Sequence, residues 1–376
     1  DDMKHLIYAD NAATTQMDVD VFEAMKPYLL HEYGNASQPY SFARQPKKAI
    51  QEARETIASC IGALPEEIYF TSGGTESDNW AIKGIAFRNY DHRATITTAF
   101  EHHAVLHACE AIERLGCPVA YMLPDKRGFV SPDSLERYIT DETFLVSVMY
   151  ANNELGSIQP IKELCKVAHD HGALFHTDAV QAVGHVAINV NDLGVDMLSA
   201  SAHKFNGAKG VGFLYIRTGT TLPPYADGGA QEHGLRAGTE NVAGIVSMAV
   251  ALKKNVNDLD KNQRHILKLE GLLLQALNES GIPYVRNGGD HSLPGVISLS
   301  FDGKDGEAIL HRMDLMGVCI STGSACDSQN TEISHVLQAI RMPESLAKGT
   351  IRISLGKNNT ADDIDTIVTA LRKILL

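Results

Sequence analysis

The chain has 376 residues, of which 44% are hydrophobic and 31 are glycine, so it is long enough for two or three domains with a sizeable core. Its net charge of −13, from 33 basic and 46 acidic residues, argues against direct nucleic-acid binding through the phosphate backbone. No apolar run reaches the length of a membrane span and no signal peptide is evident, so we expect no membrane association.

The six cysteines indicate a reducing environment. They show neither a C-x-x-C pair nor the spacing of a zinc site, so the sequence predicts no metal centre. Free thiols in a chain without a signal peptide are typical of the cytoplasm, which is the location that we expect.

Short apolar runs alternate with helical patterns through the first part of the chain. The runs that predict strands cover residues 6–10, 68–71, 94–99, 144–150, 173–176, 195–198 and 211–216. Between two of them lies the apolar stripe of a helix, formed by Ile161, Leu164, Cys165 and Ala168. This alternation predicts crossover connections and therefore a mainly parallel sheet with helices on both faces.

The last part of the chain predicts a smaller unit. A long helical stretch from about Ala243 toward Glu279 leads into it, and strands are predicted at residues 295–301, 318–321 and 351–355. Thr360 and Asp363 have the spacing of a capping box, so the closing helix should begin there. The expected fold is α/β, a large domain with a smaller α+β domain.

Polar residues follow several of the predicted strands. The glycine turn at residues 72–77 precedes a helix that we expect from about Asp78, and the free N–H groups of such a turn suit a phosphate. Asp178 and Lys204 each follow a later strand. Because ligands of open parallel sheets bind beyond the carboxyl ends of the strands, we expect these residues to form one site.

Lys204, Asp178 and the glycine turn together supply the partners that pyridoxal phosphate needs. A desolvated lysine at a strand end can form a Schiff base, a carboxylate can pair with the pyridinium nitrogen, and a helix start can hold the phosphate. Taken singly, an ordinary strand-end lysine and a turn aspartate remain the alternative interpretations.

Longer motifs recur over nearly the whole chain. They are YADNAATT (8–15), TSGGTES (71–77), EH (101–102), NNELG (152–156), HTDAVQ (176–181), SAHK (201–204), LRAGTEN (235–241), GSAC (323–326) and IRISLG (351–356). With these motifs the chain resembles the NifS/IscS-like cysteine desulfurases of the class V aminotransferase group, which are fold-type I pyridoxal-phosphate enzymes. The resemblance implies a large domain of residues 15–260 with a seven-stranded sheet, and a small domain of residues 1–14 and 261–376.

The resemblance also implies the contacts of pyridoxal 5'-phosphate. Lys204 would carry the cofactor, Asp178 would pair with the ring nitrogen, and Gln181 would bind the ring hydroxyl oxygen. His102 would stack on the ring. The phosphate would be held by Gly74, Thr75, Ser201 and His203, with Thr239 reaching it from the second subunit of a homodimer.

For catalysis, the resemblance implies that Lys204 removes the Cα proton of L-cysteine and that His102 assists the proton transfers. Asn153 would contact the cofactor or the substrate carboxylate. Arg352 would bind that carboxylate through both nitrogens of its planar fork.

Cys326 is the expected nucleophile. The small polar residues at about 322–334 predict an accessible, mobile loop, whereas most of the other cysteines fall in helical or strand patterns. The expected reaction converts L-cysteine to L-alanine and leaves a persulfide on Cys326. A sulfur-acceptor protein would then take the sulfur toward iron–sulfur clusters, a thio-cofactor or tRNA.

Two alternatives stay open at this point. One is another enzyme of the same fold, either a selenocysteine lyase or another class V aminotransferase. An aminotransferase would not need Cys326. The other is a non-catalytic subunit of a sulfur-transfer or nucleic-acid modification assembly, which would be expected to have lost Lys204 or Cys326.

Overall fold

The computed structural model describes residues 6–88, 94–322 and 333–376. Its strands are β1 (Ile7–Tyr8), β2 (Ile68–Thr71), β3 (Ala94–Thr98), β4 (Val119–Met122), β5 (Thr143–Ser147), β6 (Leu174–Asp178), β7 (Met197–Ser201), β8 (Gly212–Ile216), β9 (Val285–Asn287), β10 (Val296–Ser300), β11 (Val318–Cys319) and β12 (Thr350–Ser354).

The α-helices are α1 (Val19–Met25), α2 (Pro27–Leu30), α3 (Arg44–Ile61), α4 (Gly74–Arg88), α5 (His103–Glu113), α6 (Pro132–Tyr138), α7 (Ile161–Asp170), α8 (Val190–Leu193), α9 (Val242–Asn257), α10 (Leu259–Ser280), α11 (Gly306–Leu315), α12 (His335–Ala339), α13 (Glu344–Ala347) and α14 (Ala361–Leu375). Short 3-10 helices cover Ser41–Ala43, Pro65–Glu67, Ala202–Phe205 and Gln231–Gly234. None of the described helices is both long and apolar enough to cross a membrane.

A seven-stranded sheet forms the centre of the fold, with the strand order β2-β8-β7-β6-β5-β3-β4. The strands from β7 to β4 run parallel, and only β8 is antiparallel to its two neighbours. The prediction of a mainly parallel α/β sheet is thus confirmed.

Helices cover both faces of this sheet, as adjacent strand residues show. Leu145 and Val146 in β5 point to opposite faces, and each is fully buried in a different apolar cluster. Phe213 and Leu214 in β8 divide in the same way. Strands that are buried on both faces read as continuous apolar runs, which is why the sequence made them visible.

A second, smaller sheet is antiparallel, has the order β12-β10-β9 and packs against helices. Its apolar cluster joins Ile297 and Ile353 from the strands to Leu273 of α10 and Ile367 of α14. The capping box of α14 is present, because Thr360 Oγ1 accepts from Asp363 N and Asp363 Oδ2 accepts from Thr360 N. The domain boundaries expected above stay a prediction.

The structure differs from the expected elements in several places, and no strand was predicted at β4 or β9. The helical stretch that begins near residue 243 is two helices, α9 and α10, because Asp258 leaves the helical backbone conformation at φ −96° and ψ 11°. Short polar side chains compete with helix hydrogen bonds, which explains a break at this residue. Helix α4 begins at Gly74 rather than at Asp78. Strand β11 pairs with β1 in a separate parallel pair.

We predict that Leu273→Ala lowers the free energy of unfolding by about 2–5 kcal/mol, because it leaves a cavity in the second cluster. Leu273 is 0% exposed. Leu267 in the same helix is 52% exposed, so Leu267→Ala serves as the control and should change stability by no more than about 0.5 kcal/mol. Urea unfolding of both variants tests the prediction, and equal losses would contradict it.

Candidate active site

The carboxyl ends of five strands meet at one edge of the large sheet. Strands β3, β5, β6 and β7 are parallel, and β2 points the same way because β8, between β2 and β7, is antiparallel to both. Residues predicted for the site lie at the ends of these strands or follow them, namely Gly74, His102, Asn153, Asp178 and Lys204. The expectation that they share one edge is therefore met by the topology.

The start of α4, where we expect a phosphate to bind, is closely packed against Val180 and Ser201. A Cβ on Gly74 would lie 2.6 Å from Val180 Cγ2 and 3.8 Å from Ser201 Cβ. Gly73, with φ +151°, lies beside the Ser201 hydroxyl. Only glycine permits this approach, so the first turn of α4 presents its N–H groups next to Ser201.

Lys204 is held against the loop that follows β1. Its Nζ donates to the carbonyl oxygens of Ala12 at 2.6 Å and Ala13 at 2.8 Å. Gln181 Nε2 donates to the same Ala12 oxygen at 3.1 Å, and His203 Nδ1 lies 3.0 Å from Thr14 Oγ1. This loop therefore brings together the side chains of Lys204 and Gln181, which are 23 positions apart in the sequence.

His102 is a neutral imidazole beside two opposite charges. Its Nδ1 accepts from Ala104 N at 3.0 Å, which assigns the proton of the neutral ring to Nε2. Burial lowers the pKa of His102, while the charge of Asp178 raises it and that of Lys204 lowers it. Asp178 is 5% exposed, and its Oδ1 accepts from Val180 N at 3.0 Å.

Arg352 is buried with part of its guanidinium already engaged. Nη1 donates to the backbone oxygen of Asn153 at 2.7 Å, and Nη2 donates to Asp10 Oδ1 at 2.9 Å. Within the described residues its Nε has no hydrogen-bond partner, although the residue is only 3% exposed. A buried N–H without an acceptor is costly, so this edge of the guanidinium suits a carboxylate.

Cys326 lies outside the described residues, but the chain on both sides of it is anchored at the site. Ser321 N donates to Arg352 O and Arg352 N donates to Ser321 O, at 3.0 and 2.6 Å. On the other side, Ser334 Oγ hydrogen-bonds both oxygens of Glu154, at 2.8 and 2.6 Å. Burial raises the pKa of Glu154 to about 7.

Thr239 is exposed. Among the contacts of the described residues, none joins it to Lys204 or Ser201 of the same chain. A nearby ion pair fixes its loop, because Arg236 makes two hydrogen bonds to Glu76 in α4.

Sequence reasoning missed several residues that surround the site. Asp10 pairs with Arg352, and Glu154 holds Ser334. Beneath Asp178 lies a buried acid cluster, formed by Asp78, Glu101 and Asp178, whose members are no more than 5% exposed. A sequence signal for Asp78 was available. It lies one turn after the glycine turn, where a charged residue falls on the helix face that carries the apolar positions of α4.

Comparison with known proteins agrees with this geometry. The aminotransferase class-V family model matches residues 7–367. The cysteine desulfurase IscS of Dictyoglomus turgidum is 48% identical over 375 residues, which cover 99% of this chain and 95% of that protein. A NifS-like protein has a structure with a TM-score of 0.93 at 37% identity, covering 98% of this chain and 99% of its own. The structure of SspA in complex with cysteine has a TM-score of 0.85 at 37% identity, covering 94% of this chain and 100% of its own.

The chain therefore belongs to the aminotransferase class-V family of pyridoxal-phosphate enzymes, with the fold of the NifS-like proteins. Within that family it is a cysteine desulfurase, related to the IscS proteins over nearly its full length. The resemblance noted from the motifs is confirmed.

We predict that Glu101 makes stability depend on pH. Burial raises its pKa from 4.5 to about 8, so between these values the folded chain keeps a proton that the unfolded chain has released. Stability contributed by this group is therefore lost as the pH rises through that window. Between pH 5 and pH 8 the melting temperature of Glu101→Gln should fall less than that of wild type, because the variant lacks this titrating carboxyl.

The control is Glu110→Gln, which changes an exposed carboxylate in the helix that follows Glu101. It should keep the wild-type slope of melting temperature against pH. Equal slopes for wild type and Glu101→Gln would show that Glu101 is ionised in the folded protein.

Proposed function

We propose that this cysteine desulfurase binds L-cysteine at Arg352, transfers the sulfur to Cys326 and delivers it to a second protein. In the balanced reaction the Cys326 thiol and L-cysteine give a persulfide on Cys326 and L-alanine. The carbon–sulfur bond of the substrate breaks as the sulfur–sulfur bond forms. The electron pair stays with the carbon, which takes up a proton to become the methyl group of alanine.

The observation that carries this proposal is the position of Arg352. Its buried Nε suits a substrate carboxylate, and its backbone is paired with Ser321, five residues before Cys326. Asn153, whose oxygen it binds, precedes the Glu154 that holds Ser334 on the other side. The backbone pairing of Arg352 with Ser321 thus connects the proposed carboxylate site to the chain that leads to Cys326.

The residues present fit pyridoxal phosphate. The glycine cradle with Gly74, Thr75, Ser201 and His203 would hold its phosphate, Asp178 its ring nitrogen, Gln181 its hydroxyl oxygen, and Lys204 its carbonyl carbon. When bound, this group withdraws electrons from the substrate Cα and so weakens the bonds to that carbon. The close approach of Gly74 to Val180 and Ser201 supports the fit, because it keeps the first turn of α4 near Ser201.

Lys204 and His102 would move the protons. Lys204 Nζ is an amine at the sheet edge that contacts carbonyl oxygens, and in its neutral form it would remove the Cα proton of the substrate. His102 is neutral and carries its proton on Nε2, so it is suited to stack on a ring and to pass a proton. Asn153 would help to orient the substrate carboxylate next to Arg352.

The other functions considered for the chain are less well supported. Curated relatives with this identity are cysteine desulfurases, which favours L-cysteine over selenocysteine or an amino-group acceptor. A non-catalytic subunit would not need Lys204 at the sheet edge together with the buried Asp178 and Arg352. In this proposal the sulfur acceptor serves the synthesis of iron–sulfur clusters, of a thio-cofactor or of thiolated tRNA. We still expect the protein to work in the cytoplasm and to make no direct contact with nucleic acid.

A homodimer is part of the proposal. Large apolar side chains between residues 19 and 42 are exposed, including Val19 at 78% and Tyr33 at 69%. Tyr33 packs edge-on against Phe42, which is itself 42% exposed. Exposed apolar surface of this kind is typical of a protein–protein contact. Thr239, exposed in the single chain, would reach the phosphate of the second subunit.

We predict that two variants divide the chemistry between Lys204 and Cys326. Lys204→Ala should hold no cofactor covalently after borohydride reduction and should form alanine more than about 100-fold slower, since it loses its proton-transfer group. Cys326→Ala should keep the covalent cofactor but release no alanine from L-cysteine. Mass spectrometry and alanine assays measure both results.

Cys117→Ala is the matched thiol control and should still form a persulfide at Cys326, because Cys117 lies after α5 and away from the sheet edge. Alanine formation by Cys326→Ala at the wild-type rate would refute the assigned nucleophile. An unchanged covalent cofactor in Lys204→Ala would refute the assigned lysine.

We predict that Thr239 acts across the dimer. Lys204→Ala and Thr239→Val homodimers should both be defective, the second through weaker cofactor phosphate binding. A heterodimer of the two should contain one intact site, because the unchanged Lys204 of one subunit meets the unchanged Thr239 of the other. Co-purified, differently tagged subunits should therefore recover about half of the wild-type sites by cofactor titration, and no recovery would place Thr239 with its own subunit.

A further inference from the structure

Asp78 is a buried acid directly behind the cofactor edge of the sheet. It lies one turn after Gly74 in α4 and is 1% exposed. Its carboxyl is within hydrogen-bond reach of the Asp178 carboxyl and of Ser199. Its Oδ1 also lies 3.5 Å from His176 Nε2.

Within the described part of the chain, no Lys or Arg pairs with this group. His176, fully buried, has Nδ1 at 2.7 Å from Ser147 Oγ and Nε2 at 2.9 Å from Ser199 Oγ. Burial lowers the pKa of His176 to about 4, so the imidazole is neutral. The remaining acidic neighbours of Asp78 are Asp178 and Glu101, which would repel a second negative charge.

The burial of Asp78 favours its protonated form. Its Oδ1 has no hydrogen-bond partner among the residues that the structure describes, and the hydrogen bond with Ser199, which lowers the pKa, is outweighed by burial. An ionised carboxylate that is buried with so few donors pays a large desolvation cost, whereas a carboxylic acid needs only one acceptor for its proton. Burial, followed by the charge of Asp178, accordingly raises the pKa of Asp78 well above its ordinary value.

The two carboxyls of the pair are not equivalent. Asp178 Oδ1 receives the N–H of Val180, and Asp178 lies on the side of His102 and Lys204. Asp78 lies on the side of the neutral His176. Two carboxyls in contact repel each other unless one of them keeps a proton, and because Asp178 already accepts from Val180 N, Asp78 is the one placed to donate.

We propose that Asp78 is a positioning residue, which keeps the proton of its carboxyl, donates it as a hydrogen bond to Asp178 and so orients the Asp178 carboxyl toward the cofactor's ring nitrogen. The inference rests on the proposed function, because it assigns Asp178 to that nitrogen. Asp78 touches neither substrate nor cofactor and acts through Asp178.

The first test measures the proton directly. Holoenzyme labelled with carboxyl-¹³C aspartate, compared with unlabelled protein by infrared difference spectroscopy, should show a protonated aspartic acid at neutral pH. Asp78→Asn should remove that band, while Glu101→Gln should leave it, since glutamate carries no label. A holoenzyme with no protonated aspartate band, or a band that survives in Asp78→Asn, would overturn the proposal.

The second test separates hydrogen-bond donation from packing. Asp78→Asn keeps a donor to Asp178, whereas Asp78→Leu has a similar size and no donor. Loss of one hydrogen bond to a charged group should raise the cofactor dissociation constant of Asp78→Leu by about 10- to 100-fold. Asp78→Asn should restore most of the affinity, and equal losses in both variants would overturn the proposal.

These outcomes are distinct from failure of the proposed function. A wild-type protein that forms no alanine from L-cysteine would refute the desulfurase assignment, while the aspartate band would still report on Asp78. Thermal unfolding of each variant shows whether it is folded. Should Asp78→Leu not fold, the infrared comparison of wild type and Asp78→Asn decides alone.

Discussion

The common direction of β2, β3, β5, β6 and β7 is the constraint on which the rest of the structure depends. Each strand delivers the residues at its carboxyl end to the same edge of the sheet, so groups from distant parts of the chain meet there. Loops beyond the strands can change there while the apolar sheet below stays packed. In this chain the edge receives an anion cradle, a carboxylate, an imidazole and an amine.

The chemistry at this edge is set by the contrast between its two sides. On the outer side, Lys204 and Arg352 provide positive charge, and they contact carbonyl oxygens and Asp10. On the inner side, the buried acid cluster is flanked by a neutral His176. Burial therefore leaves few ionised groups inside, and Asp178 stands at the boundary between the two sides. Such a boundary is where a group that must stay charged in a nearly dry site can be supported by its neighbours.

The smaller sheet completes the site by placing Arg352 opposite the large one. Arg352 lies in β12, but its guanidinium reaches Asn153 after β5 and Asp10 after β1. The carboxylate site that we propose would thus draw on β12, the end of β5 and the first loop of the chain.

The sequence by itself determined most of the strands, though not β4 or β9, together with the parallel class of the sheet and the residues at its edge. Apolar runs that are buried on both faces are continuous in sequence, and Lys204, Asp178 and the glycine turn follow them immediately. The motif resemblance extended this to Arg352 and Cys326. Tertiary structure alone decided which neighbours these residues have: Asp10 beside Arg352, Ala12 beside Lys204, and Asp78 beneath Asp178. Those contacts join positions up to 342 residues apart, and the charge state of a buried acid depends on its neighbours in space rather than on those in sequence.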